Sequence, residues 1–243
     1  MFPRAAARAW VLSLFLLGLS HATENPRPPL RFLSDINYPP MTYLEDGVAR
    51  GLEVDLAREL TRVMGREILI DLTDWGLAQK KLLNGEVDGL IAMTITDERK
   101  KIYDFTIPTF THEFALFVRK EDRRLNNLNS LEGKRVGVTP SGFPRKFMEA
   151  RKGVVVVPTP TYESGMDELA AGKIDAFAGD LWVGAFVLRS RHIPDITIAG
   201  DSFARLPSGF AIQKGNTALV AELNAALREL EKEGIQKKIQ KIW

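Results

Sequence analysis

The sequence predicts an α/β protein built from two similar lobes joined by a hinge, and three observations support this. Short apolar runs alternate with helical patterns, as in strand–helix–strand units whose mostly parallel sheet is flanked by helices. Two segments nearly repeat each other, GEVDGLIA at 85–92 and GKIDAFAG at 172–179. Two extended runs, FALFVRK at 114–120 and GFAIQKG at 209–215, stand between these series. We predict that they are the crossing strands of the hinge.

The first series starts at residue 31. Strands are predicted at 31–35, 67–72 and 87–93, and helices at 53–65 and 75–85. Gly65 and Gly85 lie where these helices should stop, because glycine readily adopts the left-handed conformation that ends a helix. After residue 216, apolar residues recur every three or four positions and predict two C-terminal helices that return to this lobe. The predicted lobe 1 is therefore discontinuous, 31–112 plus 208–243.

The second series begins near Lys134 and is predicted to form lobe 2, residues 113–207. Its predicted strands are RVGVT at 135–139, VVVVP at 154–158, IDAFAG at 174–179 and ITIAG at 196–200. Its predicted helices open at Pro144, run from 162 to 171, and run from 181 to about 190.

Residues 1–22 have the order of a secretory signal peptide. Arg4 and Arg8 precede an apolar run from about Ala9 to Leu19, and small residues surround a predicted cleavage site after Ala22. The run has about eleven residues, short of the roughly 20 that cross a bilayer, which disfavours an uncleaved anchor. Because no cysteine is available for lipid attachment, we expect release into the periplasm.

Composition excludes several functions. The chain has 243 residues, 45% of them hydrophobic, which is enough for a sizeable core. A net charge of +2 is too small for phosphate-backbone binding, so no nucleic acid partner is expected. The absence of cysteine rules out disulfides, thiolate catalysis and Cys-ligated metal, and the histidines at 21, 112 and 192 have no ligand spacing. Neither a metal nor a cofactor is predicted.

Polar residues at predicted strand ends are the candidate binding groups, because ligands of open α/β sheets lie at the carboxyl ends of strands. Met93 and Thr94 end one strand, and Asp180 ends another. Arg99 follows Thr94 on a predicted short helix, and its planar guanidinium either binds both oxygens of a carboxylate or faces solvent. Asp180 is either the N-cap of the next helix or the acceptor of a ligand ammonium, and its two oxygens can divide these roles.

Aromatic residues and a loop complete the candidate site. Tyr38 follows the first predicted strand and Trp75 follows the second. Their rings either belong to the core or sandwich the body of a ligand. In the second series, Ser141 and Gly142 precede a predicted helix start, where backbone N–H groups can face an anion.

From Arg31 to Trp243 these motifs resemble the bacterial extracellular solute-binding proteins of family 3, the polar amino-acid-binding periplasmic proteins. The resemblance is carried by DINYPPMTYLEDGVARGLEVDLA, MTITDERKKIYDF, AGKIDAFAGD and GIQKKIQKIW. It implies a two-lobed periplasmic-binding-protein (Venus flytrap) fold with a hinged cleft for a small ligand.

The resemblance also implies a role for each position. Arg99 and Thr94 would bind the α-carboxylate of the ligand, and the carbonyl of Ala92 and the carboxylate of Asp180 would bind its α-ammonium. The other positions implied to contact the ligand are Tyr38 and Trp75 on its body and Asp35 on its side chain.

The lobe 2 loop departs from the family pattern. Where the family has a glycine followed by two hydroxyl residues, this chain has Ser141, Gly142 and Phe143, followed by Pro144, which has no N–H to donate. Phe143 either enters the pocket or turns away from it. Two interpretations of the ligand follow: an unusual amino acid, or a molecule that is not an amino acid.

Three functions compete. We expect a monomeric binding protein that captures an amino acid for the permease of an ABC transporter. The alternative is the ligand-sensing ectodomain of a histidine kinase receptor, which the absence of an apolar span near Trp243 disfavours. An enzyme similar to cyclohexadienyl dehydratase is less favoured, because apart from Asp35 and Asp180 no acid or base for proton transfer is evident.

Overall fold

A computed structural model describes residues 27–122 and 124–243, so the predicted signal peptide lies outside the described residues. The strands are β1 (Leu30–Asp35), β2 (Asn37–Tyr38), β3 (Thr42–Glu45), β4 (Val48–Arg50), β5 (Ile68–Thr73), β6 (Gly89–Thr94), β7 (Tyr103–Phe105), β8 (Phe110–Arg119), β9 (Arg135–Val138), β10 (Val155–Pro158), β11 (Ala176–Asp180) and β12 (Ile196–Gln213). The α-helices are α1 (Leu52–Met64), α2 (Trp75–Leu83), α3 (Asp97–Lys100), α4 (Phe143–Glu149), α5 (Tyr162–Ala170), α6 (Leu181–Ser190), α7 (Thr217–Lys232) and α8 (Ile235–Ile242).

The strands form the two-lobed arrangement that the sequence predicts. The main sheet has the order β10-β9-β11-β8-β12-β6-β1-β5, with β7 also paired to β12. At one end β1 runs parallel to β5 and β6, and at the other end β9 runs parallel to β10 and β11. The central strands β8 and β12 are antiparallel and connect the two ends. A small sheet of β2, β3 and β4 lies apart from this path.

One of the two central strands is longer than the sequence suggests. We predicted separate strands at 196–200 and 209–215, and this was wrong, because β12 continues from Ile196 to Gln213. The intervening DSFARLPS lacks an apolar alternation, yet much of it pairs along β8, with an irregularity between Ala199 and Ala204. The lobe boundaries predicted at 112/113 and 207/208 fall inside these two continuous strands and stay a prediction.

Helix α1 forms where local geometry demands a glycine. Gly51 precedes it with a φ of 126°, and a Cβ there would lie 2.1 Å from the carbonyl oxygen of Met41. The helix ends, as predicted, at a left-handed Gly65. Leu56 and Leu60 pack in the core cluster that also contains α7 side chains. This packing fixes the first turn of α1, where the Glu53 side chain is fully buried.

In the other lobe, α6 spans the predicted residues, Leu181–Ser190. Phe117 on β8 and Phe177 on β11 are fully buried in the core beneath this helix. The carboxyl end of β11 is thereby held next to the start of β8. Among the described residues, no helix is both long and apolar enough to cross a membrane.

Candidate ligand-binding cleft

A cavity of about 50 Å³ lies at the carboxyl ends of β1 and β6 and faces the loop before α4. Its lining combines nine of the eleven residues proposed from the sequence with five others. The nine are Asp35, Tyr38, Trp75, Ala92, Thr94, Arg99, Ser141, Gly142 and Phe143, and the five are Ser34, Phe114, Thr139, Pro144 and Tyr162. Both ends of the sheet thus contribute to one cavity, as expected for a hinged cleft.

The structure does not bring the side chains of Met93 and Asp180 to this wall. Met93 is fully buried in a core cluster with Leu33 and Tyr103, on the other side of β6 from its neighbours in the cleft. Asp180 is also fully buried, and it serves as the N-cap of α6, where one carboxylate oxygen accepts from the N–H groups of Trp182 and Val183. The capping interpretation of Asp180 is therefore confirmed.

Arg99 is held inside the cleft by the short helix α3. Thr96 caps this helix by accepting from the backbone N–H of Arg99, which orients the residue toward β6. The guanidinium donates to the carbonyl oxygen of Thr94 at 2.9 Å and also contacts its hydroxyl. Arg99 is only 8% exposed, and burial lowers its pKa. Within the described part of the chain, no carboxylate pairs with it, which leaves a desolvated cation suited to an anionic ligand.

Ala92 occupies an irregular position in β6. Met93 pairs with Gly209 and Leu90 pairs with Ala211, so Ile91 and Ala92 together face a single residue of β12. Ala92 adopts a left-handed φ of 60°, which costs a residue with a side chain about 1–2 kcal/mol. Such bulges re-aim backbone groups beside functional sites. The bulge supports the expectation that the Ala92 carbonyl serves a ligand.

Asp35 is the acidic residue on the cavity wall. One oxygen accepts from the backbone N–H of Asn37 at 2.9 Å. Burial raises the pKa of this carboxyl to about 6, although the bond from Asn37 opposes the shift. Asp35 and Arg99 are the two charged side chains that line the cavity, one of each sign. A ligand with one anionic and one cationic group matches this pair.

Aromatic rings provide the walls between these charges. Trp75 is 8% exposed and begins α2, which Asp74 caps. Phe143 turns toward the cavity, where its ring centroid lies 4.8 Å from that of Phe114. Phe114, on the central strand β8, borders the cavity as well.

A buried charged group that the sequence did not reveal lies behind this wall. His112, on β8, contacts the carboxylate of Asp180 through its Nδ1 atom at 2.8 Å. The hydroxyl of Tyr38 donates to the same carboxylate oxygen at 2.9 Å. Sequence spacing gave no signal for His112, because its partners come from distant parts of the chain.

A larger cavity, of about 640 Å³, opens elsewhere between the two lobes. Trp182 and Trp243 border it, and Glu113 is the charged side chain in its lining. Glu113 is already paired with Arg205 and accepts from Ser202 at 2.9 Å. Although this cavity is larger, the described residues that line it include no unpaired buried charge for a polar ligand, so we place the candidate site at Arg99 and Asp35.

Phe143 also lines a second cavity, of about 270 Å³, together with Arg99, Lys146 and Phe147. Its ring therefore divides two spaces beside the same guanidinium.

We expect Phe143→Ser to join the two cavities. Compared with the unmodified protein, this variant should bind amino acids with bulky side chains more tightly relative to L-alanine, as measured by calorimetry. Phe147→Ser is the matched control, because Phe147 lines the cavity of about 270 Å³ and not the one of about 50 Å³. Equal changes in both variants would contradict a dividing role for Phe143.

Comparison with known proteins agrees with this geometry. A family model of bacterial extracellular solute-binding proteins, family 3, matches residues 30–243. The chain is 32% identical over 213 residues to the L-cystine-binding protein TcyJ of Escherichia coli (strain K12), covering 85% of this chain and 79% of that protein.

Two solved structures are similar over nearly their whole length. One is an ancestral arginine-binding protein bound to arginine, with a TM-score of 0.84, 30% identity, and coverage of 90% of this chain and 99% of that chain. The other is a histidine kinase sensor domain with similarity to periplasmic binding proteins, with a TM-score of 0.85, 27% identity, and coverage of 90% and 96%. The chain therefore belongs to the bacterial extracellular solute-binding proteins, family 3.

Proposed function

We propose that this protein captures an amino acid in the periplasm and delivers it to the permease of an ABC transporter. The observation that carries the proposal is the buried Arg99, which lines the same cavity as Asp35 and has no carboxylate partner among the described residues. The guanidinium and the Thr94 hydroxyl bind the carboxylate of the ligand. The rings of Tyr38, Trp75 and Phe114 cover its body.

Ligand capture requires no chemical step. The cavity takes side chains from β1, β2 and β6 and from the loop before α4, so a ligand contacts both lobes only when they are closed. The ligand stabilises the closed form by these additional contacts, and the transporter can recognise that form. Arginine and cystine, named for two relatives, are the first ligands to test.

A ligand-sensing role in a receptor kinase is the second candidate function. It is favoured by the similarity to the histidine kinase sensor domain. The two functions use the same cleft and differ in the partner. Loss of amino-acid uptake after deletion of the gene supports transport, whereas unchanged uptake with loss of a transcriptional response supports sensing.

Calorimetric titration of the purified protein with the twenty amino acids and cystine tests the proposal. We expect at least one to bind with a dissociation constant in the micromolar range, about −8 kcal/mol. Mass spectrometry of the ligand recovered from the protein should return it unchanged, because binding alone is proposed. If none of the compounds binds, the amino-acid assignment is wrong.

A further inference from the structure

His112 places an internal positive charge beside the cleft. It is 1% exposed and lies on the central strand β8. Its Nδ1 atom is 2.8 Å from Asp180, at the end of β11, and its Nε2 atom is 3.8 Å from Glu53, on α1. The ring also stacks on Tyr38, with centroids 5.7 Å apart. His112 thus lies between carboxylates of the two lobes: it is hydrogen-bonded to Asp180, whereas its Nε2 atom has no hydrogen-bond partner in the described part of the chain.

The two carboxylates determine the protonation of this imidazole. Burial by itself lowers the pKa of a histidine, but Asp180 and Glu53 together raise the pKa of His112 to about 9. The ring is therefore an imidazolium at neutral pH. The hydroxyl groups of Thr109 and Ser208 donate to Glu53 and complete the polar surroundings.

Asp180 has no acceptor capacity left for a ligand. One oxygen accepts from the N–H groups of Trp182 at 2.9 Å and Val183 at 3.2 Å. The other accepts from the hydroxyl of Tyr38 at 2.9 Å and from His112 at 2.8 Å. A carboxylate offers about four acceptor positions, and four donors already occupy them.

Asp35 is in the opposite situation. It lines the cavity, and backbone N–H donation from Asn37 is its one side-chain hydrogen bond in the described part of the chain. Its second oxygen has acceptor capacity for a cationic group of a ligand, which would relieve the burial of its charge.

We propose that His112 is the resident counter-cation of Asp180, so that the cationic group of the ligand binds to Asp35 and not to Asp180. This inference rests on the proposed function and narrows its ligand. The cleft selects a carboxylate that carries a basic group within reach of Asp35. The α-amino group contributes little, because the available acceptor near it is the carbonyl of Ala92.

Two ligands distinguish the contribution of the basic side-chain group from that of the α-ammonium. L-arginine and 5-guanidinopentanoate share the carboxylate and the guanidinium, and only L-arginine has the α-ammonium. We expect the two to bind within about fivefold of each other in calorimetric titrations. A loss of 100-fold or more without the α-ammonium would overturn the inference while leaving amino-acid capture intact.

Two variants test the same point on the protein side. Asp35→Asn should weaken L-arginine binding at least 100-fold, whereas Asp180→Asn combined with His112→Gln removes both charges of the pair and should bind within about tenfold of the unmodified protein. Circular dichroism establishes that each variant is folded. A larger loss of affinity in the double variant than in Asp35→Asn would overturn the inference.

If L-arginine and every other amino acid fail to bind, the proposed function fails. NMR titration of the His112 imidazole in the ligand-free protein then still tests the ion pair between His112 and Asp180. Protonation retained to about pH 9 supports the pair, and titration near pH 6.5 overturns it.

Discussion

Replacing Arg99 with methionine is expected to lower ligand affinity at least about 100-fold, as measured by calorimetry, while leaving the protein folded. Truncating one partner of a buried charge pair costs about 2–5 kcal/mol or more in binding. Arg99 is the cation in the lining of the cavity, so no other side chain there can replace it.

The stability of this variant should change little. The hydrogen bond from Arg99 to the carbonyl of Thr94 is lost, at a cost of about 1 kcal/mol. Relief of the desolvated guanidinium offsets this cost, because burial already disfavours its charged form. Lys100→Met is the matched control, since Lys100 is exposed and paired with Asp97 at 3.1 Å. Unchanged affinity in Arg99→Met would exclude Arg99 from ligand binding.

The free energy of unfolding should fall by about 3 kcal/mol between pH 6.5 and pH 9, through His112 alone. The pKa of His112 is about 9 in the folded protein and 6.5 for the free side chain, and each pH unit of difference is worth 1.36 kcal/mol. The contribution of a raised histidine pKa is fully present below pH 6.5 and is lost as the pH rises through 9.

The groups that face His112 determine whether other titrations interfere. They are Asp180, Glu53 and Tyr38, with Tyr162 bonded to the backbone N–H of Asp180. The pKa values of both tyrosines are raised well above 10, outside this pH range. Urea titrations at several pH values should therefore give a slope in the unmodified protein that His112→Gln lacks. His192→Asn is the control, since asparagine tolerates the positive φ of 54° at this exposed position, and it should retain the slope.

Much of the fold was predictable because local signals determine it. Gly65 ends α1, and α6 follows Asp180, at the residues that glycine and N-cap preferences indicate. The continuity of β12 was not predictable in this way. Its middle residues have no apolar alternation, and their pairing with β8 depends on long-range contacts.

The candidate site shows the same difference between residues with a local sequence signal and residues placed by long-range contacts. Thr94 and Arg99 could be placed because Thr94 ends β6 and Arg99 follows it on the short helix α3, and strand ends meet at one edge of a sheet. Asp35, which ends β1, was placed by the resemblance to the family. His112 could not be identified, because a single histidine within a strand has no pattern of its own. Its neighbours, Glu53 and Asp180, are distant in sequence and lie beside it only in the tertiary structure. The sequence therefore did not show that Tyr38 and His112 occupy the oxygen of Asp180 that was left for a ligand.

Whether Arg99 and Asp35 bind the ligand is tested most directly by a crystal structure of the protein grown with the amino acid that binds most tightly in the calorimetric titrations. We predict that the ligand carboxylate contacts the guanidinium of Arg99 and the hydroxyl of Thr94, with its cationic group on Asp35. A ligand bound away from Arg99, such as in the cavity beside Trp182 and Trp243, would show that Arg99 and Asp35 do not form the binding site.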